Sequence, residues 1–371
     1  MRFLKVAALV PVVALMGWTP VERSSASAFA EPQAGQAGPA MQSIGPLTFS
    51  PDGVLFAGDT QAAAIFALEL GAAATGGAPG AKSIPAIDQK IAAMLGTDAR
   101  EIQVTDLAIH PKSRNAFISV MRGQGAAAQP ALLRVDGAGK IDLISLQGLK
   151  FTKAELTNAP AANPGSQRNA RSQSITDMAY VDGKLIVAGL SNEEFASKLR
   201  TIPYPFAKVE NGTSVEIYHG NHGQFETRSP VYAYVPYRID NTPHLIAGYL
   251  CTPLVKFPLS SLRPGAKVVG TTIAELGNRN RPLDMIVYKK GGQEFLLMAN
   301  NSRGVMKIPT AGFAKAEGIV AKVTSETGGV GYETIASMKG VEHLDLLDEG
   351  HTIILARGEG GVLNLEAVAL P

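Results

Sequence analysis

The sequence of 371 residues contains one cysteine, Cys251, so no disulfide can form within the chain, although an exported protein could have used several. Its stability must come from burial. Charge is scarce, at 18% of residues, and long helical patterns are few, which together with 39 glycines favours an all-β chain. There is no Gly-x-Ser-x-Gly elbow, no HExxH, no CxxCH haem attachment, no P-loop and no dinucleotide fingerprint, so the chemistries those motifs support are disfavoured. No basic run is long enough to make a nucleic-acid patch.

The N-terminus reads as an export signal. Arg2 and Lys5 precede a 13-residue apolar run, Val6 to Trp18, and Ala28-Phe29-Ala30 offers a small-x-small cleavage site. The run is shorter than the about 20 residues of a membrane span, which disfavours the alternative of a retained anchor. Removing residues 1–30 takes away three basic residues and one acidic one, so the 34 basic and 32 acidic residues become 31 of each. A formally neutral mature chain exerts no long-range pull on nucleic acid or anionic lipid. The expected address is the periplasm or the secreted space, with no nucleic-acid partner and no transmembrane span after signal cleavage. Residues 31–43 are expected to form an extended lead-in, and residues 44–371 a single domain.

The most informative stretch is ITDMAYVDGKLIVAGL, Ile175 to Leu190: an apolar strand, an Asp182-Gly183 turn and a second apolar strand. Related stretches begin at Ile44, Val104, Arg281 and Val341, with a more diverged copy at Ser229. Matching apolar starts at Ile44, Val104, Ile175, Val231, Leu283 and Val341 gives steps of 60, 71, 56, 52 and 58 residues. Such a period marks a radial or stacked repeat, in which each unit buries its faces only against its neighbours. The expected fold is an all-β propeller of six blades. A seventh, irregular blade is the alternative, because six blades would average roughly 54 residues, more than four short strands require.

Ile87, Ile91, Met94 and Leu95 share one helical face and predict a short amphipathic helix between the first two blades. Residues 151–173 read as a polar linker carrying Asn158, Arg168, Asn169 and Arg171. The sixth blade is expected to take a partner strand from the N-terminal lead-in, closing the ring and removing exposed edges.

PLTFSPDGVLFAGDTQAAAIFAL, Pro46 to Leu68, resembles the strand pair of NHL-type β-propellers, in which an apolar strand, a PDG turn, a Val/Leu-rich strand and an Asp-Thr loop precede the next strand. The pattern is similar to the wider six-bladed class that includes gluconolactonase-like proteins. That resemblance implies a calcium-type ion held by acidic and amide side chains. The repeated tryptophan motif of many quinoprotein propellers is absent, because the one tryptophan is Trp18.

In a propeller, antiparallel alternation puts the inner-strand starts, the linkers between blades and the loops after each second strand on one face. Asp106, Asp177 and Asp284 stand at inner-strand starts, and His343 takes the corresponding place in the last repeat. The linkers carry His219, His222, Glu226, Arg228, Arg279 and Arg281, and the loops carry Asp59, Arg122, Ser191, Cys251, Asn300 and Arg357. Converging carboxylates would repel unless a cation or arginines neutralised them. Oxygen ligands suit calcium or magnesium, whereas His343, His219 or His222 would favour a transition metal. The candidate metal ligands are therefore Asp106, Asp177, Asp284, His343, His219 and His222, and the candidate ligand-binding residues are Arg279, Arg281, Cys251, Glu226 and Arg228.

Each has a structural counterpart. An Asp before an apolar strand commonly caps backbone N–H groups, a lone thiol packs as a small apolar group, and Arg279 and Arg281 could pair with the aspartates. Ligand binding is expected to depend on Asp177, with Asp177→Ala costing under about 2 kcal/mol.

The leading functional expectation is binding of a small polar ligand or a divalent metal ion at one mouth of the central channel. The alternatives are a metal-assisted hydrolase or lactonase, with His or Asp as base, and a scaffold for another exported protein, with an exposed apolar patch around Tyr232, Tyr234 and Tyr237.

Overall fold

The computed structural model describes Met1 and residues 38–162, 169–251 and 253–371. The export signal, the start of the lead-in and Arg168 lie outside the described residues. No helix among the described residues is long and apolar enough to cross a membrane.

The chain forms a six-bladed β-propeller. The six inner strands are Leu47–Phe49, Ile102–Ile109, Asp177–Val181, Val231–Ile239, Pro282–Lys290 and Val341–Leu346, each starting within three residues of an apolar repeat start. Blades are numbered 1 to 6 in that order. The second strands, such as Leu55–Asp59 and Ala116–Arg122, are almost wholly buried. They are sandwiched between neighbouring blades, so apolar residues are needed on both faces. The PDG turn of blade 1 uses Gly53 at φ +97°, where a Cβ would come within 2.6 Å of His110 on the turn of blade 2.

Blades follow the chain in one order and the ring in another. Apolar clusters join blade 1 to blade 2 (Leu55, Phe117), blade 1 to blade 3 (Phe56, Leu185) and blade 2 to blade 6 (Ile118, Leu355). Others join blades 3, 4 and 5, and blades 5 and 6. Around the axis the order is therefore 2, 1, 3, 4, 5, 6, with blade 6 returning to blade 2. The chain leaves blade 2, passes over the outside of blade 1 and enters blade 3. On the way Lys150–Glu155 pairs with Ala64–Glu69 as the outer strand of blade 1. The stretch expected to be a linker thus begins with a strand, because residues 150–155 find an open edge to pair with.

The ring also closes differently from expectation. Among the described residues blade 6 has three strands, and its outer edge is covered by the segment between blades 1 and 2. Ile84 bridges Leu365, Ala86 N–H donates to Asn364, and Asp88 accepts from Leu363 N–H. Helix Ile87–Met94 follows and buries Ile87 and Ile91 in the seam of blades 2 and 6. The lead-in instead packs on blade 1, where buried Asp59 accepts from the backbone of Gln42, Ser43 and Ala62.

Candidate functional site

Inner strands from all six blades line a central channel of about 540 Å³. In blades 2, 5 and 6 a β-bulge falls between the first residues and Asp106, Asp284 or His343, and these three occupy matching register positions. A bulge bends its strand and re-aims the residue that follows. The result brings together one ligating atom from each of the three side chains, all within 4.8 Å of one another. His343 Nδ1 lies 3.4 Å from Asp106 Oδ1.

Each carboxylate is also a fastener. Asp106 accepts from Leu107 N–H on its own strand and from Leu47 N–H of blade 1. Asp177 accepts from Met178 and, across the blade boundary, Tyr234. Asp284 accepts from Met285 and from Leu344 of blade 6. Asp345, two residues beyond His343, fastens blade 6 to blade 2 by accepting from Leu346 and from Ile109 of blade 2. The capping role and the convergence therefore coexist: each oxygen takes one N–H and keeps a further lone pair.

The electrostatics are unfavourable for four bare charges. Burial, then the charge of Asp106, pushes Asp177 and Asp284 well above the ordinary carboxylate range, and His343 partly offsets this for Asp284. Burial likewise raises Asp345 to about 6. His343 is opposed by its burial, but the nearby carboxylate and charge of Asp106 and the charge of Asp284 raise it overall. Burial and mutual repulsion thus favour the protonated carboxylates over bare charges, a balance that a bound cation would reverse.

The cavity runs from these carboxylates toward Ser50, Pro51 and Pro111, on the turn face. It occupies the half of the channel opposite to the mouth expected from the loops. Asp345 was not among the expected residues. Its signal was available, because residues i and i+2 on a strand share a face and Asp345 stands two after His343.

The linker residues go elsewhere. His219 ends the fourth strand of blade 3, Thr213–His219, roughly 14 Å from the inner strand at standard strand spacing. His222 and Glu226 join it there, on a hairpin whose second strand is Gln224–Glu226. Burial opposes it, but the close approach of His219 and His222 and their charge hold Glu226 down at about 2. Arg228 is exposed. Arg279 and Arg281 are exposed as well, with Arg281 over the Tyr232 ring at 5.6 Å. Among the described residues no ion pair joins either arginine to the channel aspartates, so that pairing does not form. Cys251 is half-buried at φ +59°, and its N–H donates to Asn280 O.

The expected tyrosine patch is not an exposed apolar surface. Tyr234 is buried and donates to Ile186 O, Tyr232 bonds Gln173, and the Tyr237 hydroxyl lies within hydrogen-bond distance of both Glu294 and Thr310.

No protein-family model and no curated protein matches the chain. Among solved structures it is similar to the PQQ-bound aldose sugar dehydrogenase of Streptomyces coelicolor, at 10% identity over 90% of this chain and 96% of that one, with a TM-score of 0.30. The apo-form of the soluble aldose sugar dehydrogenase of Escherichia coli matches at 10% identity over 89% and 97%, TM-score 0.32. Drosophila semaphorin 1b, extracellular domains 1–2, matches at 9% over 91% and 86%, TM-score 0.34. Likenesses this distant carry no conclusion about activity.

Proposed function

We propose that this propeller binds a divalent cation, or a small polar ligand through one, in its central channel, with Asp106, Asp284 and His343 as ligands and Asp177 and Asp345 beside them. The observation that carries the reading is the approach of three ligating atoms from three blades to within 4.8 Å, at the head of a cavity large enough for a small molecule. An oxygen-rich set with one imidazole suits calcium, magnesium or manganese better than zinc. The cation would compete with protons for these carboxylates, so binding would weaken as pH falls.

The gluconolactonase-like resemblance implies an ion held by acidic and amide side chains. No asparagine or glutamine is among the described residues lining this cavity, which favours binding over the lactonase reading. Export through the signal at residues 1–30 is part of the proposal, and N-terminal sequencing of the mature chain checks it.

Equilibrium dialysis of chelator-treated protein against calcium, magnesium and manganese tests the channel. One equivalent of bound ion in the wild type, with affinity reduced tenfold or more in Asp284→Asn, is the expected result. Unchanged binding in that variant removes the channel as the site. An ester and lactone panel with and without chelator, run on the same protein, decides between binding and hydrolysis.

A further inference from the structure

We infer that His219, His222 and Glu226 form a second, separate metal site of zinc type on the rim of blade 3, with buried Glu275 of blade 4 orienting His219.

The site is built by a short turn. His219 ends a strand, His222 N–H and Gly223 N–H both donate back to His219 O, and the chain returns so that Ile217 faces Glu226. This folds the His222 ring over that of His219, with centroids 3.8 Å apart. Both imidazoles then present Nδ1 to one carboxylate oxygen: His222 Nδ1 lies 2.6 Å and His219 Nδ1 3.1 Å from Glu226 Oε1. Ligand atoms about 2.0–2.1 Å from a tetrahedral zinc stand roughly 3.3 Å from one another. Both histidine–glutamate distances are thus within about 1 Å of that spacing, and the three ligand atoms all lie within 4.8 Å of one another.

A second observation points the same way. His219 is 2% exposed and Glu275 0% exposed, yet neither ring nitrogen of His219 nor Glu275 Oε2 has a hydrogen-bond partner among the described residues. Glu275 Oε1 is occupied by Gly220 N–H at 2.6 Å, which leaves Oε2 3.8 Å from His219 Nε2. Buried polar atoms left unpaired are costly, because they give up their bonds to water and gain none in return. A metal on Nδ1 would satisfy that nitrogen and fix the proton on Nε2, 3.8 Å from Glu275 Oε2, where a small side-chain shift would make the hydrogen bond. That is the carboxylate–histidine–metal relay by which outer carboxylates orient ligating imidazoles.

The set differs from that of the channel in a way that selects a different ion. Two imidazoles and one carboxylate suit zinc, cobalt or nickel rather than calcium. His222 is half-exposed, so solvent or a small anion can reach the remaining coordination position. Because the hairpin belongs to blade 3 and Glu275 to the fourth strand of blade 4, a bound ion would pin the rim across that blade boundary.

Titration of the chelator-treated full chain with cobalt(II), followed by its visible ligand-field absorption, tests the site. The expected result is one equivalent of absorbing cobalt, displaced by zinc. His222→Ala, at an exposed position, should keep the wild-type circular dichroism and lose the band. Glu275→Gln should keep the band with affinity reduced about 10–100-fold. Asp284→Asn should leave it unchanged, which separates this site from the channel. Absence of a band in the wild type, or its survival in His222→Ala, overturns the site; full affinity in Glu275→Gln overturns the role of Glu275.

Discussion

The channel and the rim each gather histidine and carboxylate, but they are assembled by opposite means. The channel set comes from three blades and from positions 106, 284 and 343, brought together only when the ring closes. Its carboxylates hold the blades to one another through N–H bonds, so chemistry and stability share the same oxygen atoms. The rim set lies within eight residues, 219 to 226, on one hairpin, with Glu275 added from another blade. A functional group that also fastens the fold cannot be changed cheaply, whereas one carried on a hairpin can.

That contrast can be broken most directly at Asp177. Replacement by alanine leaves the N–H groups of Met178 and Tyr234 without their acceptor, so urea melts should show a loss of about 3 kcal/mol. This revises upward the cost expected from sequence, since the structure shows a cap that spans two blades. A loss under 1 kcal/mol would mean that the carboxylates are not fasteners.

Next in size is the cation effect. Asp284→Asn should weaken manganese or calcium binding by 10- to 100-fold, about 1.4–2.7 kcal/mol, while cobalt absorption at the rim persists. Loss of both signals together would show that the two regions are one system.

The pH dependence of stability gives a smaller effect of definite sign. Asp177, Asp284 and Asp345 are raised in the folded state, so their contribution is full below the ordinary carboxylate value and falls as pH rises through their folded values. His343 is also raised, and its contribution is lost on the same side. Metal-free protein should therefore lose stability between pH 4 and pH 7, on the order of 2 kcal/mol from Asp345, and a saturating divalent cation should restore it. Glu226 has the opposite sign, its contribution being present above the ordinary value and lost only as pH falls toward about 2. Stability that rises from pH 4 to pH 7 without metal would contradict the channel assignment.

The smallest effect is expected at the rim itself. His222→Ala should change the stability of metal-free protein by under about 0.5 kcal/mol, because the side chain is half-exposed and on a hairpin.

Much of this was legible before any coordinates. The period-two apolar pattern of Ile175 to Leu190, and its recurrence, located all six inner strands, because strand burial is a local property written in alternation. The same alignment put Asp106, Asp284 and His343 at equivalent positions. Glu275 carried no such signal: it lies on a strand like many others and acquires its role only by backing onto His219. Lys150–Glu155 read as linker because its polar residues alternate too weakly to announce an outer strand.

By itself, then, the sequence determined the repeat, the number of inner strands and the residues that begin them. Alternation, turn glycines and apolar runs act over a few residues, and they are the same whichever blade stands next door. The tertiary structure alone decided that blade 3 adjoins blade 1, that residues 83–94 close the ring, and that the histidines of the linker stand apart from the channel. Those outcomes depend on which apolar faces and open edges meet across long stretches of chain, a matter of burial between distant segments that no local pattern encodes.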